Sequence, residues 1–170
     1  KQGEEAWQDV TLPHDAMIHD RREADSPGKD ANGYFVGGGY EYEKHFTAPA
    51  EWESRHVEAE FGGVYRNSKV YLNDVLLTER PYGYVAFTAD LDSALRPGEE
   101  NVLRVIADNS RLPNSRWYTG GGIYREVRLL TGAKTHIAWK GVQISTLSVK
   151  PEAKLGISVS VEGSENADHC

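Results

Sequence analysis

The sequence has little cysteine, no cluster of basic residues and no long apolar run, and each shortage excludes a class of protein. The single cysteine, Cys170, cannot form an internal disulfide or supply the paired thiolates of a structural zinc site. No apolar run approaches the ~18 residues of a membrane helix. The net charge is -7, and without a Lys/Arg cluster the chain is poorly suited to displace counterions from phosphates. We therefore expect neither a membrane nor a nucleic acid as partner.

Histidine and a secretory leader are the next two shortages. The six histidines fall at no spacing that would place two ligands on one face of a strand or helix, so we predict no metal site in this chain. The sequence does not begin with the basic and apolar residues of a secretory leader. Its start at Lys1 resembles a cut end, so a leader removed upstream remains an alternative. We expect a cytoplasmic location in a bacterial cell.

What the chain does contain is an alternation of apolar and polar residues with a period of two. Val57, Ala59 and Phe61 alternate with His56, Glu58 and Glu60, and similar alternations cover residues 84–91 and 123–130. Turn signals stand between these runs at residues 67–68, 73–74 and 96–98. Many short strands with such punctuation are typical of an all-β sandwich or jelly roll. We predict one over residues 1–132.

The strand pattern restarts after Gly132. Ile137 and Trp139 are followed by Val142 and Ile144, and then by a strict alternation over residues 154–161. Residues 133–170 are interpreted as a linker and the first strands of a second, immunoglobulin-like β-sandwich. A whole domain of that kind takes about 100 residues, so this one would be truncated. The alternative is that residues 134–162 add strands to the first sandwich.

The segment 114–125 has the most unusual composition in the chain. It reads Asn-Ser-Arg-Trp-Tyr-Thr-Gly-Gly-Gly-Ile-Tyr-Arg and combines aromatic, cationic and amide side chains with three consecutive glycines. Aromatic faces with polar handles suit the recognition of sugars, and glycines allow a close approach of another group. The alternative interpretation is a bulged loop between strands with its aromatic side chains in the core.

Five motifs in order resemble the amino-terminal, sugar-binding-type domain of family 2 glycoside hydrolases, the β-galactosidase, β-glucuronidase and β-mannosidase group. They are Leu-Pro-His-Asp at 12–15, Gly-Tyr-Glu-Tyr-Glu-Lys-His-Phe at 39–46, Phe-Gly-Gly-Val-Tyr at 61–65 with Val-Tyr-Leu-Asn-Asp at 70–74, Arg-Pro-Tyr-Gly-Tyr at 80–84, and Asp-Asn-Ser at 108–110. With the glycine-rich segment they cover residues 7–131 and most resemble bacterial β-galactosidase-like members. The resemblance implies a jelly-roll-like β-sandwich, similar to galactose-binding domains, followed by an immunoglobulin-like domain.

The resemblance also implies that the catalytic chemistry lies outside this sequence. Family members are retaining glycosidases that use two carboxyl groups, both in a (β/α)8 barrel of about 250 residues. A chain of 170 residues cannot hold that barrel as well as the sandwich. We assign no catalytic residue and expect the chain alone to be inactive, with Glu58 and Glu60 on a solvated face. No cofactor is expected here, and a divalent or monovalent cation in the longer enzyme is left open.

The same resemblance implies that loops of this domain reach the sugar pocket. It makes Asn114, Arg116, Trp117 and Tyr118 the candidate substrate-binding residues, through hydrogen bonds from the first two and stacking by the aromatics. Some family members carry an acidic residue here, where this chain has Arg116 or Ser115, which weakens the galactose assignment. The alternative is an ion pair between Arg116 and Asp108 with Trp117 packed in the core.

Function then has two readings of different classes. The first is the amino-terminal part of a β-galactosidase that hydrolyses terminal β-D-galactosides and is a homo-oligomer in its longer form, with a β-glucuronidase or β-mannosidase as variants. The second is a non-catalytic sandwich that binds carbohydrate or a protein. His14 and Asp15 are interpreted as a capped turn after Pro13 and not as a catalytic pair, because no nucleophile-elbow serine accompanies them.

Overall fold

The computed structural model describes residues 6–163, and within that range the regular structure is all β with short 3-10 helices. The strands are β1 (Gly38–Thr47), β2 (Arg55–Phe61), β3 (Ser68–Leu72), β4 (Val75–Arg80), β5 (Phe87–Asp90), β6 (Glu100–Asn109), β7 (Val127–Ala133), β8 (His136–Ser148) and β9 (Lys154–Glu162). The 3-10 helices are Met17–His19, Lys29–Asn32 and Ala50–Ser54. The prediction of an all-β protein is confirmed.

None of the helices found in residues 6–163 has the length and apolar character needed to cross a membrane.

Seven strands form the sandwich. One sheet has the order β1-β6-β3-β4 and the other the order β5-β2-β7, with all pairings antiparallel. The hairpin between β3 and β4 turns at Asn73 and Asp74, whose φ values of 49° and 67° match the two left-handed residues of a tight two-residue turn. Antiparallel strands joined in this way need one buried face only, and the alternation in the sequence supplies it.

The core lies between the two sheets. In β2 the side chains of Val57, Ala59 and Phe61 are fully buried while their neighbours in sequence are only partly so. Phe61 stacks on Phe87 of β5 with 5.0 Å between ring centroids. The remaining buried members come from both sheets and from the loops that follow them: Val64, Val70, Leu72, Ala89, Leu91, Leu103, Val105, Ala107 and Ile123.

Two predicted strands are shorter in the structure than in the sequence prediction. The alternation over residues 84–91 yields only β5, because the partner strand β2 ends at Phe61, which pairs with Phe87. Residues before Phe87 have no ladder to join, and Val85 is 57% exposed instead of buried. The predicted alternation over 123–130 is also shortened, since β7 begins at Val127.

β8 and β9 form a two-stranded sheet of their own and join neither sheet of the sandwich. The indole nitrogen of Trp139 donates to Glu60 Oε1 at 3.0 Å, and the His136 ring stacks on that of His56 at 4.1 Å. One face of this hairpin is apolar and exposed: Ile137, Val142, Ile144, Leu155, Ile157, Val159 and Val161. That this hairpin is the start of an immunoglobulin-like domain stays a prediction.

Candidate functional site

The loop between β6 and β7 carries the three consecutive glycines, and its path explains them. Gly122 has a φ of +106°, and a Cβ on it would overlap the Tyr42 hydroxyl. A Cβ on Gly121 would lie 2.6 Å from Cε2 of Tyr40. Both tyrosines belong to β1, so the glycines let the loop lie directly on that strand.

Backbone hydrogen bonds fix the loop on two sides. On one side, His14 N donates to Ile123 O and Ala16 N to Gly121 O, both at 2.7 Å. On the other side, Tyr65 and Gly122 exchange hydrogen bonds of 2.9 and 2.8 Å. The glycines are therefore held between the amino-terminal segment and residue 65.

Asp15 has an unexpected position under this loop. Its Oδ1 accepts hydrogen bonds from the backbone N–H of Met17 at 3.1 Å and of Gly121 at 3.0 Å, and its Oδ2 accepts one from the Tyr118 hydroxyl at 2.6 Å. The bond from Met17 is the predicted capped turn. The other two contacts join residues more than one hundred positions apart, which the turn prediction missed.

The ionisation state of Tyr118 follows from this contact. Burial raises the pKa of the Tyr118 hydroxyl, and its hydrogen bond to Asp15 raises that pKa further. The phenol therefore stays protonated at neutral pH and donates to the carboxylate. Its ring packs on Phe35 with 5.1 Å between centroids, yet 37% of the residue is exposed.

Of the four predicted site residues, Asn114 lies deepest. Its amide nitrogen donates to Asn109 Oδ1 and to the Arg111 carbonyl, and its Oδ1 accepts from the Tyr65 hydroxyl at 3.3 Å. Both amide protons are thus directed at protein acceptors. Asn114 therefore stabilises the loop between β6 and β7 through contacts within the domain.

Arg116 and Trp117 point outwards. The Trp117 ring is 70% exposed, and the Arg116 guanidinium carbon lies 5.3 Å from its centroid. Within residues 6–163 Arg116 makes no ion pair, so the considered pair with Asp108 does not form. The Ser110 side chain lowers the pKa of the Asp108 carboxyl group most, followed by the Ser110 N–H, which donates to that carboxylate at 2.9 Å. Arg111 and Arg66 lower that pKa further.

A second group of exposed tyrosines lies next to Asn114. The Tyr84 ring is 5.2 Å from that of Tyr65 and 5.6 Å from that of Tyr82, and Tyr82 is 63% exposed. Residues 80–84 carry part of the family resemblance in the sequence, which assigns them no role. No local signal places them beside the glycine loop, because the contact depends on how β4 and β5 are connected across the sandwich. The exposed aromatic side chains at this end form what we call the aromatic surface: Tyr82, Tyr84, Trp117 and Tyr118.

A different group brings possible metal ligands together. One ligand atom each of His56, Asp90 and Asp92 lies within 4.8 Å of the others, although the spacing of the histidines predicted no such site. The Asp92 carboxylate is already engaged, since it accepts from His56, from the Val57 N–H and from Lys134 at 2.8–3.0 Å. A cation there would compete with the Lys134 ammonium.

Comparison with known proteins identifies relatives along nearly the whole chain. A β-galactosidase of Bacteroides ovatus is 37% identical over 169 residues, which is 96% of this chain and 20% of the relative. A protein named as a putative β-glucuronidase of Formosa agariphila is 32% identical over 159 residues, or 93% of this chain and 15% of the relative. The chain thus spans about a fifth or less of the length of these relatives. No protein-family profile matches it.

Solved structures agree with the sequence relatives. A family 2 glycosyl hydrolase from Bacteroides cellulosilyticus superposes with a TM-score of 0.84 at 31% identity, over 94% of this chain and 21% of that protein. A β-glycosidase from Bacteroides vulgatus gives the same TM-score at 37% identity, over 94% of this chain and 21% of that protein. Sequence identity and structural superposition therefore lead to one conclusion: the chain belongs to glycoside hydrolase family 2.

Proposed function

We propose that this chain is the amino-terminal part of a retaining β-glycosidase whose preferred substrate is a terminal β-D-galactoside. The observation that carries the proposal is the 37% identity, over 96% of the chain, to a protein named as a β-galactosidase. Both carboxyl groups that a retaining glycosidase needs lie outside this chain in the proposal. The chain contributes binding surface and support for the catalytic domain.

The aromatic surface supports a role in sugar binding. Trp117 and Tyr118 offer exposed ring faces, and the apolar face of a pyranose stacks well on such rings. Arg116 is exposed beside them with donors available for hydroxyl groups. In this proposal the exposed residues Arg116, Trp117 and Tyr118 contact the ligand, while Asn114 orders the loop.

A β-glucuronidase is the second candidate, and one feature favours it. The guanidinium of Arg116 has no carboxylate partner among the described residues, and a uronic acid would supply one with matching two-pronged geometry. Several relatives carry the name β-glucuronidase at 31–33% identity. A galactoside and a glucuronide differ in the configuration at C4 and in the group at C6, and only the glucuronide carries a carboxylate there for Arg116 to bind.

Two further proposals concern the longer protein. We propose that β8 and β9 open an immunoglobulin-like domain, because their apolar face is exposed here and a two-stranded sheet alone is only marginally stable. We also propose that the longer protein is a cytoplasmic homo-oligomer.

The test is hydrolysis of nitrophenyl β-galactoside, β-glucuronide and β-mannoside by the protein extended to its natural stop codon, beside the 170-residue chain. We expect the longer form alone to cleave the galactoside. Cleavage of the glucuronide instead would establish the second candidate. No cleavage of any substrate by either form would overturn the enzyme proposal and leave a carbohydrate- or protein-binding sandwich.

A variant separates the two substrate candidates. Arg116→Gln in the longer protein removes the guanidinium but keeps an amide donor. If Arg116 pairs with a uronate, the variant raises KM for the glucuronide at least tenfold and leaves KM for the galactoside within twofold. Arg128→Gln is the matched control, since Arg128 lies on β7 and pairs with Glu126 at 2.7 Å.

A further inference from the structure

The Asp15 hydrogen-bond cluster, defined as Asp15 with its donors on Met17, Tyr118 and Gly121, connects the amino-terminal segment to the aromatic surface. Asp15 and Tyr118 are separated by 103 positions, and Asp15 and Gly121 by 106. The carboxylate accepts all three hydrogen bonds with its two oxygens. Such a charge-assisted contact is shorter and stronger than one between neutral groups.

The loop is shaped to admit this carboxylate. Gly120 has a φ of +74°, and a Cβ on it would lie 2.9 Å from Asp15 Oδ2. The backbone bond from Ala16 N to Gly121 O lies beside the carboxylate contact. Any side chain at position 120 would therefore displace the carboxylate, the loop or both.

Tyr118 is fixed by its hydroxyl and by one side of its ring, and the rest of the residue is exposed. Its hydroxyl bonds Asp15, its ring rests on Phe35, and the Arg22 guanidinium lies 5.6 Å from the Phe35 centroid on the amino-terminal segment. More than a third of the residue still faces solvent. A ring fixed in this manner meets a ligand without losing further rotational freedom, which lowers the entropic cost of binding.

We propose that Asp15 is a positioning residue that fixes the orientation of Tyr118 and of residues 116–121, and thereby the sugar-facing shape of the aromatic surface. The proposal rests on the proposed glycosidase function and adds a residue far from the loop in sequence. Asp15 acts through Tyr118 and the Gly121 backbone and does not itself contact the sugar. An asparagine keeps an acceptor oxygen for the two backbone donors, and its amide N–H can donate to the Tyr118 hydroxyl oxygen, so it replaces Asp15 with little loss.

The experiment uses the longer protein with Asp15→Ala, Asp15→Asn and Tyr118→Phe, and with Asp25→Ala as the matched control. Asp25 is an exposed aspartate of the same segment. Two quantities are measured: the rate of tryptic cleavage after Arg116, and KM and kcat for the glycoside that the parent hydrolyses. Circular dichroism checks that each variant is folded, and a variant that does not fold is replaced by Tyr118→Phe as the readout.

We expect Asp15→Ala to speed cleavage after Arg116 at least tenfold and to raise KM five- to tenfold with kcat within twofold. Tyr118→Phe changes both quantities in the same direction and adds little to Asp15→Ala. Asp15→Asn and Asp25→Ala stay within twofold of the parent. Rescue by asparagine separates positioning from a role that needs the negative charge.

Several results would overturn the inference. An unchanged tryptic rate in a folded Asp15→Ala variant shows that Asp15 does not order the loop. A faster tryptic rate with an unchanged KM shows that loop order does not matter for binding. A loss in Asp15→Asn equal to that in Asp15→Ala assigns Asp15 a charged role instead. If the parent cleaves no glycoside, the proposed function fails, and the tryptic rates alone decide whether Asp15 orders the loop.

Discussion

Single residues in this domain gain their importance from neighbours that are distant in sequence. Gly122 is an example, because its backbone angle and its lack of a side chain are both required by contacts with β1. Asp15, Asn101 and Asn109 are others. Asn101 is fully buried, and its side chain bonds Asn73 and the backbone of residues 96 and 99. Such residues tolerate little change although they lie in loops or at strand ends.

Gly122→Ala should destabilise the domain by about 2–4 kcal/mol, because the new methyl group overlaps the Tyr42 hydroxyl and φ is +106°. Gly132→Ala is the matched control, since the nearest atom to its Cβ would be 3.7 Å away. Urea unfolding of both variants measures the difference. Equal stabilities would contradict the steric argument.

The pH dependence of stability should depend in part on Asp92. Burial alone raises the pKa of Asp92, but hydrogen bonds from His56, the Val57 N–H and Lys134 outweigh it and leave the pKa below its ordinary value of 3.8. A carboxyl group with a lower pKa in the folded state stabilises that state at pH values above 3.8. This contribution is lost as the pH falls through the folded-state pKa.

Asp92→Asn should therefore lower Tm at pH 7, and the gap from the parent protein should shrink as the pH falls below 3.8. Thermal unfolding between pH 7 and pH 3 tests this. Asp74→Asn is the control, because the Asp74 side chain is 92% exposed. A gap that stays constant across the pH range would exclude the ionic contribution.

At the scale of elements, the alternation of residues predicts the strands of the sandwich. It also predicts that β8 and β9 are strands, but not that they form a separate sheet with an exposed apolar face. Alternation in β2 and β9 is equally regular in the sequence, yet one buries Phe61 and the other exposes Ile157. Periodicity states which residues share a face and not what covers that face. The difference comes from tertiary contacts, which in the described residues exist for β2 and are lacking for most of β9.

Ile157→Lys should leave the Tm of the 170-residue chain unchanged, because the side chain is 65% exposed there. In the longer protein we expect the same change to cost about 1–3 kcal/mol, since a covered apolar face would then receive a charge. Ser158→Lys, on the opposite face of the same strand, is the control. Equal effects of the two lysines in the longer protein would show that the face stays uncovered.

The candidate site was less predictable than the strands. Composition alone singles out the glycine-rich segment, and the structure exposes its residues Arg116 and Trp117, whose binding role stays a prediction. Asn114 looked equivalent to them in the sequence but bonds Asn109, Arg111 and Tyr65. Of these partners Tyr65 is 49 positions away, and a contact over that distance is specified only through the complete fold.

At the scale of the whole domain, both sheets share one core, in which Phe61 is fully buried. Phe61→Ala should destabilise the domain by about 3–5 kcal/mol and weaken both sheets together. The control is Val85→Ala, whose parent side chain is 57% exposed. Denaturant unfolding followed by tryptophan fluorescence and by circular dichroism measures both effects. Two separated transitions in the Phe61 variant would show that the sheets unfold independently.

The pairing of residues 14–16 with residues 121–123 also has a consequence for biosynthesis. The ribosome synthesises the first of these segments well before the second. The backbone N–H groups of His14 and Ala16 therefore lack their acceptors until Gly121 and Ile123 have been synthesised. These two hydrogen bonds therefore cannot form until six strands of the sandwich, β1 to β6, have been synthesised. A nascent chain arrested before residue 121 should leave residues 14–16 open to proteases, and synthesis of a few more residues should protect them.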